Sequence, residues 1–215
     1  MEFVSIDLFL DDVLPEVPGC SKYTAIDNIR LAAIDFCKQT GISVETSEEQ
    51  DIDANEPIFD LPSPGSNVRP WQVLWMNSTQ GPITPVSRRV AVEWGATWET
   101  LTGDWPCNYL HVNNSQVRFV PIPTESRSES LTVHCSYIPT RNADRLDAVL
   151  LDEYREAITS GALYRLLRMS KEPWYDPTEA RERRDMFAIA VNFARPLADK
   201  DFMTGEQSVM MRPMA

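Results

Sequence analysis

The chain has 215 residues, 43% of them hydrophobic and 24% charged, with a formal net charge of −12. That length accommodates one large domain or two small ones, and the composition is that of a soluble globular protein. An acidic surface repels phosphate backbones, so tight nucleic-acid binding would need a local basic patch, and no apolar run approaches the about 20 residues of a membrane span.

At the N-terminus Glu2, Asp7, Asp11 and Asp12 stand where a signal peptide would be basic, so cytosolic synthesis is expected. Residues 5–14 read as a short amphipathic helix stopped by Pro15 and the Pro18-Gly19 turn. Ser21 is the expected N-cap of a second helix running to about Thr40, with Gly41 just past its end. Its apolar stripe is Ile26, Ile29, Ala33, Phe36 and Cys37, which makes Cys37 a small core residue. Residues 48–56 form an acidic run without apolar period and are expected to be a solvated loop.

From 57 to about 141 the texture is β. Candidate strands cover 58–61, 68–76, 109–112, 116–121 and 130–138, separated by prolines. Asn113-Asn114 marks a two-residue hairpin loop that would pair Leu110 with Val117 and put Val112 on the same face as Phe119. Residues 87–94 are expected to form a short helix crossing the sheet.

Helix returns at 150. Leu151, Tyr154, Ile158 and Ala162 lay one apolar stripe, and Gly161 gives up about 1 kcal/mol of helix propensity, which makes sense if another helix crosses closely there. Pro173 stops this helix, and Asp176-Pro177 starts its hairpin partner with an N-cap acid and a proline at N1. In that partner Met186, Ile189, Ala190, Phe193 and Leu197 form the expected packing stripe, and Pro196 bends or ends the helix near Arg195. The inferred architecture is α+β: N- and C-terminal helices (5–41 and 149–198) form one bundle, with an antiparallel β subdomain inserted at about 42–145. Residues 1–198 then make one domain, followed by an extended C-terminal arm, 199–215.

Familiar chemistry is hard to place. Asp51, Asp53 and Asn55 mimic the first ligands of a calcium loop, but Glu56 and Pro62 occupy the positions that need glycine and glutamate. His134 and Cys135 point to opposite faces of one strand, and Cys107 and His111 are too far apart on a strand to chelate one ion. No nucleophile elbow, P-loop or dinucleotide fingerprint occurs. The four cysteines lack CxxC spacing and read as free, reduced thiols. Arg181, Arg183 and Arg184, interleaved with Glu179, Glu182 and Asp185, read as a solvated or subunit-facing ion-pair surface. Five tryptophans fall in the β region. Trp71 and Trp75 share strand parity and read as core or subunit interface; a sugar-binding platform of a phage tail or receptor-binding module is the alternative.

Three stretches, in order, carry a resemblance: LPEVPGC followed by AIDNIRLAAIDFCKQT, then YLHVNNSQVRFVPIP, then LDEYREAITSGALYRLLRMSKEPWYDPTEA. Together they resemble the head-to-tail adaptor (head-completion) proteins of tailed bacteriophages. The resemblance implies a helical bundle with a β insertion and no enzymatic activity. It implies a homo-oligomeric ring of roughly a dozen copies in the virion neck, assembled in the host cytoplasm, between the portal ring and the tail or nozzle proteins. The ring would close the head after packaging and line the DNA exit channel. No metal or cofactor is called for. Strong acidity suits a ring that lets DNA pass without specific binding, because about a dozen such subunits carry well over a hundred negative charges. The arm after Ala198 is the expected portal-docking element. Phe202, Met203, Val209, Met210, Met211 and Met214 follow no period there, and Arg212 could meet an acidic or carbonyl site.

Overall fold

In the computed structural model, residues 1–95 and 97–199 are described. The chain opens not on a helix but on strand β1 (Phe3–Ser5). A broken run of 3-10 turns around α1 (Leu10–Val13) follows, then α2 (Lys22–Thr40). Strands β2 (Val44–Thr46), β3 (Gln50–Ile52), β4 (Ile58–Asp60), β5 (Val68–Ser78), β6 (Gly81–Pro82) and β7 (Thr84–Pro85) lead into the short helix α3 (Arg88–Glu93). Next come β8 (Thr102–Gly103), β9 (Asn108–Asn113), β10 (Gln116–Val120), β11 (Ile122–Pro123), β12 (Arg127–Pro139) and β13 (Arg145–Asp147). Helices α4 (Ala148–Asp152), α5 (Arg155–Leu166) and α6 (Pro177–Asp199) complete the described chain.

The expectation of a helical bundle with an inserted antiparallel β subdomain is overturned. Strand accounts for 30% of the residues, spread over several sheets, one of them curled and antiparallel. The strands also begin before the first helix, since β1 pairs antiparallel with β13, Phe3 opposite Asp147. β12 is the spine of the β part, with β2 and β3 on one edge and β5 on the other. Its Leu131, Val133, Cys135 and Tyr137 lie in the β core, while Ile138 belongs to the core under the helices. Helices and sheet therefore share one strand. Two other expectations change with it. Part of the acidic run is strand β3, and its Asp51 carboxylate accepts the Glu129 N–H (2.8 Å). In the hairpin a bulge at Gln116/Val117 pairs Leu110 with Arg118 and Val117 with His111. That slip leaves Val112 52% exposed instead of on the apolar face, while Tyr109, Val117 and Phe119 are buried.

The caps of α2 form as expected. Ser21 Oγ accepts the Thr24 N–H (3.1 Å), and Gly41 takes the left-handed conformation (φ 66°), its N–H donating to Cys37 O. Cys37 is fully buried, and burial pushes its thiol pKa well up. The long helix expected from 150 is broken at Tyr154, whose ring packs on Phe36 (centroids 5.0 Å). At Gly161 a Cβ would lie 2.8 Å from the Phe187 ring and 3.0 Å from Ala32 Cβ, so α5 is crossed closely by both α6 and α2. Asp176 caps α6 through the N–H groups of Thr178 (2.9 Å) and Glu179 (3.0 Å), and α6 runs on past Arg195 to Asp199.

Where sheet meets helix, Asp147 caps α4 by accepting the Val149 N–H (3.3 Å), and Ser43 Oγ donates to its other oxygen. Burial raises its pKa above 3.8, opposed by those two hydrogen bonds and by the N-terminal ammonium, with Glu45 adding to the rise. The folded pKa exceeds the unfolded one, so the contribution is fully present below the unfolded value and lost as pH rises through the raised folded value. The substitution Asp147→Asn keeps the cap without the charge. Thermal melting at several pH values should show that variant gaining on the natural chain as pH climbs from acid to neutral. A constant difference between the two would contradict this.

Candidate functional site

The surface features that stand out lie on α6 and the elements beside it. At 100° per residue, the line of α6 that meets the core runs through Ala180, Phe187, Val191 and Ala194. This corrects the stripe expected from sequence: Met186 is 47% exposed, Ile189 57% and Phe193 75%, while Ala190 is packed against the core and the Leu197 side chain lies outside the described residues. The overlapping row 187, 191, 194 fills the core because Gly161 leaves a notch that the Phe187 ring occupies. What remains is an apolar row facing solvent, with Glu182 one turn before Met186.

Below that row lies a hollow lined by Asp12, Arg155, Glu156, Thr159, Ser160, Arg183 and Met186. Arg155 is held bidentately by Asp12, and Asp12 and Asp11 raise its pKa. Arg183 is held by Glu179 (2.7 Å) and Glu16 (3.5 Å). Thr159 Oγ1 is buried there with no hydrogen-bond partner among the described residues. On the opposite side of the α6 core line lies a cleft of about 440 Å³, lined by Tyr164, Arg168, Tyr175, Pro177, Ala180, Arg181 and Arg184, with no carboxylate among them. Arg168 donates to Tyr164 Oη (2.6 Å) and lies over that ring, while Arg184 pairs with the neighbouring Asp185 (2.8 Å).

The arginine cluster read from sequence is therefore divided. Arg181 and Arg184 line the cleft, Arg183 sits in the acidic network across the helix, and Glu182 is exposed beside the apolar row. β5 is bulged at both Leu74 and Trp71, so sequence parity does not carry through between the two tryptophans, and neither Trp71 nor Trp75 joins the β core. Trp71 is half-buried against the helix core with Lys38 over its ring (5.4 Å). Trp75 stacks on His134 (centroids 5.2 Å, planes 16° apart). Trp98 is buried with Arg88 and Arg118 near its ring, and Arg127 lies over Trp105 (4.4 Å), so these indoles are engaged by protein side chains. Phe202, Met203, Val209, Met210, Met211, Arg212 and Met214 lie outside the described residues. Sequence reasoning missed Tyr164, Arg168 and Tyr175 as a group, because α5 and the turn before α6 bring them together.

A family model described as SU10 adaptor protein matches residues 5–209. The chain belongs to that family. The match bears out the resemblance to phage head-tail adaptors and places this adaptor among structural proteins that engage portal and tail proteins in general. No curated protein matches the chain. Among the described residues of the adaptor, no helix is long and apolar enough to cross a membrane.

Proposed function

We propose that this adaptor assembles as a ring of about a dozen copies between the portal and the tail, closing the head after packaging and lining the DNA exit channel. Residues 1–198 act as one unit in that ring and the arm 199–215 docks on the portal. Arg181, Arg184, Glu182, Trp71 and Trp75 contribute to contacts between copies, with assembly taking place in the host cytoplasm. The observation that carries the ring reading is the apolar row Met186, Ile189 and Phe193, left facing solvent in a single chain. A row of that kind on a strongly charged protein marks an interaction surface.

The high like charge opposes self-association until a template supplies contacts, so isolated chains are expected to be mainly monomeric and to close into a ring on the portal. Raising ionic strength should ease that step, because screening shortens to about 8 Å near physiological salt. Native mass spectrometry of the full chain mixed with its portal ring should find the portal carrying about a dozen copies. A portal that stays bare, or carries one or two copies at saturation, would refute the proposal.

A further inference from the structure

The two sides of α6 differ in charge, and that asymmetry specifies how neighbouring copies meet. One side carries Asp11, Asp12, Glu16, Glu156, Glu179 and Glu182 against two guanidiniums, Arg155 and Arg183. The other carries Arg168, Arg181 and Arg184, with Asp185 beside Arg184 and with Asp176 at the start of α6 between the lining residues Tyr175 and Pro177. In a chain with 32 acids and 20 bases, a cleft free of carboxylates is the exception. Neither Arg168 nor Arg181 has an ion-pair partner among the described residues.

We infer that the Arg168–Arg181–Arg184 cleft receives the acidic side of α6 from a second copy of this chain, head to tail. This rests on the ring reading and assigns its interface. Charge complementarity favours the second copy as occupant: carboxylates and unneutralised guanidiniums stand on opposite sides of one helix. A contact using both sides once per subunit repeats around a closed ring. A two-fold contact would use both sides of each copy at once and stop at a dimer. The apolar groups match as well. The row Met186, Ile189 and Phe193 lies on the acidic side, while the exposed Tyr175 and Pro177 and the half-buried Tyr164 line the cleft. Aromatic and guanidinium groups are those that dominate protein interfaces. Phosphate is the weaker fit, because three arginines in a chain of net charge −12 give few backbone contacts.

The test is charge exchange in the full chain, assayed on the portal ring by native mass spectrometry. Arg168→Glu with Arg181→Glu makes both sides acidic. Asp11→Arg with Glu156→Arg and Glu182→Arg makes both basic, since it leaves Asp12, Glu16 and Glu179 against the original two guanidiniums and the three added. All of these positions are exposed, so melting curves should match the natural chain and separate assembly from folding. Each variant alone should associate at least about tenfold more weakly than the natural chain. Their mixture should recover rings containing the two variants in equal number, since every contact then joins opposite charges. Unimpaired assembly of either variant alone, or no recovery on mixing, overturns the assignment while leaving the ring reading intact. Failure of the natural chain to form rings removes both. If Arg168→Glu with Arg181→Glu assembles normally but loses affinity for double-stranded DNA, the cleft is a phosphate site and the inference is wrong.

Discussion

Replacing Phe36 by Ala should cost about 3–5 kcal/mol, the usual penalty for deleting a buried aromatic ring. Phe36 has no exposed surface and sits on α2, where the helices meet. Its ring lies 5.0 Å from that of Tyr154 and 5.9 Å, edge-on, from that of Phe187. One side chain therefore ties α2 to the start of α5 and to the middle of α6. Neither neighbour can collapse freely into the void. Tyr154 is held at the break between α4 and α5, and the Phe187 ring already occupies the notch at Gly161. In a chain of this length each kcal/mol moves the melting temperature by about 2–4 °C, so a fall of about 6–20 °C is expected in calorimetry. A loss of only a degree or two would mean that the three helices are held together elsewhere.

That junction also shows what the sequence could reveal. Ser21, Gly41 and Asp176 announced helix ends because caps act through their own neighbours, and local chemistry is enough to recognise them. Gly161 announced a close crossing because its cost needs a partner to offset it. The facing of α6 was harder to read. Its apolar residues supply two overlapping rows, and only the shape of α5 decides which is buried. The share of β structure was underestimated for a related reason. β1, β2, β3 and β13 have three residues each, too short to show alternation, and their partners lie far away in sequence. The two-residue β6, β7, β8 and β11 are invisible to any periodicity. The hairpin register failed because its bulge is a choice between pairings that the loop residues alone do not make. The charge asymmetry of α6 was hidden too. The acids that balance Arg155 and Arg183 come partly from α1 and the turn after it, over a hundred residues away.

Truncation after Ala198 should separate docking from folding, with an all-or-none effect on the first. Among the described side chains, the last that α6 gives to the core are Val191 and Ala194, and Arg195 donates to Gln39 O at 3.1 Å. A cut after Ala198 leaves all of these in place, so the melting temperature should move by no more than the change expected at a helix end, about 1 °C. The removed segment holds four of the eight methionines, Met203, Met210, Met211 and Met214, together with Phe202 and Val209. Unbranched thioethers adapt to irregular grooves, and an apolar segment of this kind gains most of its buried surface from a partner. The truncated chain should therefore melt normally and fail to bind the portal ring in co-sedimentation at concentrations where the full chain saturates it. Restoring the segment with Met210 and Met211 changed to Ser should leave affinity at least about tenfold down, since each buried thioether side chain contributes about 1.5–3 kcal/mol. Undiminished binding by the truncated chain would move the docking surface onto the helices, with α5 and α6 as the first places to look.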